Sequence, residues 1–298
     1  MSYQLPKRSH LVHKAIDIEK LSAKNKPDLN EWGLPHHLKH CWQKKYDGCH
    51  VIVIIDHDLE VSFWSRDGKP VASLGHHVAR LQRLPPGTVL FCEAWRHGAE
   101  FRQISGEFRR KSTQEQLMLV LFDTVRLGDF EAGHCDVSYK LRHEVCWDFA
   151  RRIGHNAFML AQRCEPWEVG ELAQHPTDAY DGAVAKRWDG LWTAGAGTGG
   201  EVLKVKNVID VDLLCTGVEE GEGKHEGRLG AIVCRYEDGV ELRVGTGFND
   251  PARVTYWNDP SKIVGHVVRV VGMKASGKGS LREPRFKGVR YDKTEPDY

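Results

Sequence analysis

Apolar residues along this chain fall mostly into short runs, the pattern of buried strands rather than of long helices. The densest is Val51-Ile52-Val53-Ile54-Ile55, preceded by Trp42 and followed by a turn at Asp56-His57-Asp58 and the alternation of Val61 and Phe63. Further short strands are predicted at Thr88–Phe91, Leu117–Phe122, Ala183–Ala185 and Val202–Val205. Helical periodicity is loose over 10–24 and clearer over 73–83, where Pro85-Pro86-Gly87 ends it. It returns over Tyr139–Arg152. After Lys206 the texture changes. Val208–Thr216, Leu229–Tyr236, Val240–Gly245 and Val264–Val271 are β-type runs between Gly/Glu/Asp-rich turns, with one short helix near Asp250–Asn258. That rhythm predicts a small, mostly antiparallel barrel of OB type. The expectation is an α+β chain of two domains, 1–208 and 209–298.

Composition changes this picture little, and charge changes it locally. A chain of 298 residues holds one large or two modest domains, each able to bury a core. The net charge of +1 says nothing about a polyanionic partner. From Lys262 to Lys293, however, nine Lys/Arg stand against two acids, which marks a local polyanion-binding face. The eight cysteines show no C-x-x-C pair, which argues against zinc and for a reduced cytosolic setting. The His-His pairs at 36–37 and 76–77 read as surface or satisfied histidines. No apolar leader and no membrane-length apolar run occur, so neither a signal peptide nor a membrane span is expected. The expected location is the cytoplasm. The glycine-rich stretch 194–200 lacks the Gly-Lys-Ser/Thr of a phosphate loop and reads as a surface loop.

Chemically useful residues recur in a fixed order at the ends of the short strands. Lys45-Tyr46-Asp47-Gly48 precedes the 51–55 run, and Ser65-Arg66-Asp67-Gly68-Lys69 follows it. Glu93 ends one strand and Phe122-Asp123 another. Asp181-Gly182-Ala183-Val184-Ala185-Lys186, Lys204-Val205-Lys206 and Arg290-Tyr291-Asp292-Lys293 complete the series. Lys204 and Lys206 alternate with Leu203 and Val205, so both face one side of their strand. Two lysines so placed repel unless an anion lies between them.

The series resembles the ATP-dependent DNA ligases, in the superfamily of lysine nucleotidyltransferases that also holds RNA ligases and mRNA capping enzymes. It runs from Gln43 to Lys293 and is most similar to the short bacteriophage type, with a nucleotidyltransferase domain followed by an OB domain. The resemblance implies an adenylation domain over 1–208, built of antiparallel sheets with flanking helices in an ATP-grasp-like ligase fold. It implies an OB-fold barrel over 209–298. Lys45 would attack the α-phosphorus of ATP, form lysyl-AMP and pass AMP to the 5′-phosphate of a nick in duplex DNA. The 3′-OH would then displace AMP. Such an amine must lose its proton, and Lys204, Lys206 and Mg²⁺ (or Mn²⁺) would lower its pKa.

The resemblance also implies roles at single positions. Asp47 falls at the aspartate of metal or 3′-OH chemistry, and Gly48 allows close backbone approach. Gln43 and the Lys44 carbonyl would read the adenine edge, Glu93 the ribose, and Phe122 would stack on adenine. Glu93 and Asp181 would serve the metal, and Lys186, Lys204 and Lys206 the nucleotide. Arg66 would meet nucleotide or nick phosphate. Arg290 and Lys293 would orient the departing pyrophosphate, and Lys274, Lys278, Arg282 and Arg285 would meet DNA phosphates. A monomer is expected. Departures stand at His50, where the family carries arginine, at Phe91-Cys92 in place of Asp-Gly, and at Asp181 in place of glutamate. An RNA ligase or capping-type enzyme is the alternative, against which stand the closing motif and the OB segments. Lys45, Glu93, Lys204 and Lys206 together stand against a non-catalytic OB nucleic-acid-binding protein.

Overall fold

The β-branched runs become the centres of sheets. A computed structural model describes residues 3–17, 35–36, 38–154, 156–165, 168–169, 180–196, 199–206, 209–274 and 280–298. It divides into two units, Met1–Lys206 and Asn207–Tyr298. The first unit holds two main sheets. One is formed by β1 (Ile16–Asp17), β2 (His40–Tyr46), β8 (Tyr180–Arg187) and β9 (Val202–Lys206), in the order β1-β9-β8-β2. The other is formed by β3 (Cys49–Ile55), β4 (Val61–Ser65), β5 (Thr88–Trp95), β6 (Met118–Arg126) and β7 (Phe158–Leu160), in the order β4-β3-β5-β6-β7. Pairing is antiparallel except for β1 against β9 and β7 against β6.

Strand β3 shows why its sequence is unbroken rather than alternating. Val51, Val53 and Ile55 enter one core with Leu90, Cys92 and Leu119. Ile52 and Ile54 enter a second with Val89, Phe91 and Trp192. Both faces of the strand are covered, so both take apolar residues. Helix α1 (Phe101–Phe108) starts with a reciprocal capping box between Glu100 and Gln103. Helix α2 (Tyr139–Ile153) buries Tyr139, Arg142, Cys146, Phe149 and Ile153, a stripe at three- and four-residue spacing, and stops at Gly154 with φ 53°.

Several expectations change. The stretch 10–24 is not helical where it is described: His13–Lys14 and Ile16–Asp17 are two-residue strands, and 18–34 lie outside the described residues. Main-chain pairing of Ile16 with Leu203 outweighs the weak periodicity. Helix α1 and strand β7 were not foreseen. The first is short, and the second has only three residues to show a period. The 73–83 stretch is a 3₁₀ turn at Gly75–His77 and one helical turn at Val78–Leu81. Within the 194–200 loop, Gly195–Ala196 pairs in parallel with His13–Lys14.

The second unit is a five-stranded antiparallel sheet of β10 (Ile209–Glu220), β11 (Leu229–Arg235), β12 (Glu241–Val244), β13 (Val267–Lys274) and β14 (Leu281–Val289). Their order is β12-β11-β10-β13-β14. The fifth strand, β14, is additional to the four apolar runs, because its apolar residues are spaced by charges. A bridge between Thr246 and Arg285 curls the sheet so that its two edges meet. Gly247 allows this approach: its φ is +97°, and a Cβ there would lie 2.1 Å from the Phe286 carbonyl oxygen. Helix α3 (Asp250–Asn258) is capped by Asn249, whose side chain accepts from the Ala252 N–H at 2.8 Å. Its buried Arg253 donates to the carbonyls of Leu229 (2.7 Å), Gly230 (3.1 Å) and Gly245 (2.7 Å). The α+β expectation with a curled terminal sheet is met. Among the described residues no helix is long and apolar enough to cross a membrane.

Arg253→Ala would strand one buried and two part-buried carbonyls, so it should destabilise the second unit by about 2–4 kcal/mol. Urea denaturation followed by circular dichroism reads the effect. A loss below about 0.5 kcal/mol would show that water replaces the guanidinium at no cost.

Candidate active site

Residues 45–48 sit where the chain passes from one sheet of the first unit to the other. Tyr46 ends β2 and Cys49 begins β3, so Asp47-Gly48 is the whole crossing. Gly48 is required for it, since a Cβ would lie 2.4 Å from the Ala94 carbonyl oxygen and 2.9 Å from Glu93 Cγ. The crossing brings Lys45, on the first sheet, close to Glu93, on the second. Lys45 Nζ donates to Asp181 Oδ1 at 2.6 Å. The approach of Asp181 depends on the register shift at Tyr180–Ala183 and on Gly182. That glycine has φ +132°, and a Cβ would lie 2.1 Å from the Val205 carbonyl oxygen.

Register assigns the faces of the first sheet. Val184 lies opposite both Gln43 and Lys204, and Gly182 opposite Lys206. Gln43, Lys45, Lys204 and Lys206 therefore share one face. The other face carries Trp42, Ala183, Ala185 and Leu203, which form a core of their own. On the second sheet His50 is directly opposed to Glu93. Phe122 is the extra residue where the β5–β6 register slips between Phe91 and Cys92, so it leaves the regular pleat.

The electrostatics are those of one cation among three carboxylates. Burial lowers the Lys45 pKa, but Asp181, Glu93 and Asp47 outweigh it, and the net direction is upward. Burial, and then the neighbouring Asp181 and Asp47, push Glu93 up to about 8 against the pull of Lys45 and the Gly48 N–H. Lys45 is thus held in its charged form, opposite to the lowering expected from the lysine pair. Lys204 Nζ lies 3.6 Å from Asp17 Oδ1, so a carboxylate from the N-terminal region offsets the lysine face. Asp17 carried no sequence signal, because it lay inside the weak helical pattern.

Relatives of this chain are consistent. A family description, "DNA ligase OB-like domain", matches residues 220–290. The DNA ligase of Natronomonas pharaonis is 27% identical over 305 residues, which span 90% of this chain and 54% of that protein. A solved chain named Pmar-Lig_Pre superimposes with a TM-score of 0.75 at 25% identity, covering 94% of this chain and 67% of that one. The bacteriophage T7 ATP-dependent DNA ligase in complex with ATP shares the fold, with a TM-score of 0.52 at 19% identity over 85% of this chain and 92% of that one. The chain is similar to DNA ligases along most of its length. It spans 54%, 40% and 51% of the lengths of the curated relatives it matches. Its two units have nucleotidyltransferase and OB folds like those of the ligases it resembles.

Within the first unit, the residues expected at the site do not all converge. Lys45, Asp47, Glu93 and Asp181 form one charged group. Among the described residues, Gln43 Nε2 and His50 Nε2 are buried without a hydrogen-bond partner. Lys44 points to the opposite face, with Nζ 5.1 Å from the Tyr180 ring centroid. Phe122 lies 5.3 Å from the His50 ring. Burial, then Arg66 and Lys186, push His50 down to about 3, so it is neutral where the family carries a permanent cation. Lys186 is committed elsewhere: Nζ donates to the Phe122 carbonyl at 2.6 Å and lies 3.6 Å from Asp123 Oδ2. Asp123 also accepts from Arg142 Nε at 2.8 Å and Nη2 at 3.2 Å. Burial opposes its ionisation, yet Arg142 and Lys186 hold it down at about 2. This network braces the backbone at Phe122. A charged residue at 142, on the apolar stripe of α2, was the only sequence sign of it.

Arg66 is exposed, 3.8 Å from Asp67. In the second unit, Arg290 and Lys293 both reach Asp212. Arg282 meets Met273 Sδ at 3.9 Å, and Arg285 lies 3.7 Å from Glu283. Lys274 closes β13, and Lys278 lies outside the described residues.

Glu93 sets a pH dependence. Its folded pKa, about 8, exceeds its ordinary 4.5. The folded state therefore keeps a proton that the unfolded state releases, and stability falls as pH rises from 4.5 to about 8. Glu93→Gln should flatten that decline in melting temperature measured across pH 5–8 (about the same window). An unchanged slope would show that Glu93 is ionised in the folded protein.

Proposed function

We propose that this chain is an ATP-dependent DNA ligase that seals 3′-OH/5′-phosphate nicks through lysyl-AMP. The observation that carries the reading is Lys45 Nζ, hydrogen-bonded to Asp181 in a carboxylate-lined cleft whose same sheet face bears Lys204 and Lys206. A lysine held there has a carboxylate in place to take its proton and cations in place for the phosphates. Lys45 first gives one ammonium proton to Asp181 Oδ1; the neutral amine then attacks the α-phosphorus as the bond to pyrophosphate breaks, and the second proton leaves with the pyrophosphate. Lys204 and Lys206 neutralise the charge developing on the transferring phosphoryl group. Gln43, with its free Nε2, suits the adenine edge, and Phe122 suits its face. The names of the related ligases, one solved with ATP, support the nucleotide and the DNA substrate.

A divalent cation fits the donor set in one form. Among the described residues no three acidic, histidine or cysteine groups converge to hold a metal by themselves. Mg²⁺ characteristically uses one or two carboxylates plus substrate phosphates, so Asp181 and Glu93 would hold it together with the nucleotide. Bound there, it would offset the carboxylate charge that keeps Lys45 protonated. Reaction is then coupled to nucleotide binding, and the resting lysine stays protected.

Incubated with Mg²⁺ and α-labelled ATP, the protein should become covalently labelled, and Lys45→Ala should lower labelling at least ~10³-fold, to background. Chasing the labelled protein with nicked duplex DNA should yield sealed strand and free AMP. A wild-type chain that takes no label from any nucleotide would overturn the reading, and sealing of nicked RNA alone would move it to an RNA ligase.

A further inference from the structure

We propose that Cys215 and Cys234 form a redox-closable staple across the second unit, shut by hydrogen peroxide and reopened by a thiol. The proposal does not depend on the ligase reading. Cys215 lies on β10 and Cys234 on β11, and the strand register sets them directly opposite each other. Both are free thiols, and both are buried at 0% exposure. The backbone decides which kind of pair they make. The Cys215 N–H donates to the His266 carbonyl at 3.0 Å, and the Cys215 carbonyl accepts from the Gly265 N–H at 2.8 Å. Both groups therefore point away from β11, and Cys215 with Cys234 is a non-hydrogen-bonded pair. At such a pair the Cα atoms stand about 4.5 Å apart and the side chains approach most closely. A disulfide spans Cα separations of about 4.4–6.8 Å, so the bond closes with little movement of either strand.

The thiols already touch. The Cys234 S–H donates to the Cys215 sulfur, and Cys215 Sγ donates in turn to the Gly217 carbonyl at 3.5 Å. The bond from Cys234 pulls the Cys215 pKa down against burial, and the same contact pushes Cys234 up. Cys215 is therefore the attacking sulfur and Cys234 the resolving thiol. The Cys215 sulfur takes one oxygen from hydrogen peroxide as the O–O bond breaks, which gives a sulfenic acid and one water. Cys234 then gives up its proton and its sulfur attacks Cys215. The S–O bond breaks, the disulfide forms and a second water leaves. Two thiols are oxidised and one peroxide is reduced to two waters. The register slips at the exposed Thr216, so the ladder is interrupted beside Cys215. Local opening costs least there, and hydrogen peroxide is small enough to enter through it.

The whole chain is treated with hydrogen peroxide, quenched with catalase, unfolded and alkylated, and its peptides are read by mass spectrometry. A linked 215–234 peptide should appear. Two of the eight cysteines should escape alkylation, and dithiothreitol should restore all eight. The bond should raise the melting temperature of the second unit by roughly 5 °C or more over the reduced protein. Cys215→Ala should abolish both the linkage and the shift and leave Cys234 open to alkylation. The comparison of oxidised with reduced wild type needs no variant, so it decides the matter if Cys215→Ala fails to fold. Full alkylation of both cysteines after peroxide, or their separate oxidation to sulfinic acids, would overturn the proposal and leave the pair as core packing. A bond that forms without raising the melting temperature would overturn the stapling role.

Discussion

The ion pair between Lys45 and Asp181 is the constraint around which the first unit is arranged. It joins the end of β2 to a residue 136 positions later, and it holds only because two glycines let backbones pass closer than any side chain permits. Gly182 lets β8 bulge toward β9, and Gly48 lets the crossing run against Ala94. A single lysine then faces three carboxylates in a partly desolvated cleft. The consequence is a lysine kept protonated by its carboxylate neighbours.

The two sheets reach this cleft by different means. The first gives it one face, because Gln43 and Lys45 of β2 and Lys204 and Lys206 of β9 fall on one side, with Trp42 and Leu203 on the other. The second gives only its rim. Glu93 and His50 lie near the ends of strands that are otherwise largely buried, and Phe122 escapes the pleat through a bulge. The Asp123–Arg142–Lys186 network explains why that bulge is stable. It satisfies the Phe122 carbonyl and neutralises a buried carboxylate with two cations, which a lone buried charge would not tolerate. Lys186 thus acts on the site through the backbone it supports.

Elsewhere the balance of charge is local. Lys204 finds Asp17, Arg290 and Lys293 find Asp212, and Arg285 finds Glu283. The basic stretch seen in the sequence is therefore partly neutralised within its own unit. What remains for a polyanion is the donor capacity that these pairs leave open.

The sequence determined the strands and the chemistry carried on them. An unbroken run such as 51–55 has one stable use, a strand covered on both faces, and Lys204-Val205-Lys206 has one geometry, two lysines on one side. Helix α2 was legible from its stripe because fifteen residues give a period room to show. The strand at 16–17 and the strand at 158–160 were not, since two or three residues carry no period and only a partner strand makes them extended. The tertiary structure alone decided the charge states and the partners. Whether Lys45 is raised or lowered depends on how many carboxylates surround it, and those come from positions 47, 93 and 181. Asp17 and Asp212 are unremarkable in the chain and matter because folding sets them against particular cations. Local pattern encodes which face a residue takes; only the long-range fold sets which charges meet, and Coulomb energy depends on that distance and on the burial that accompanies it.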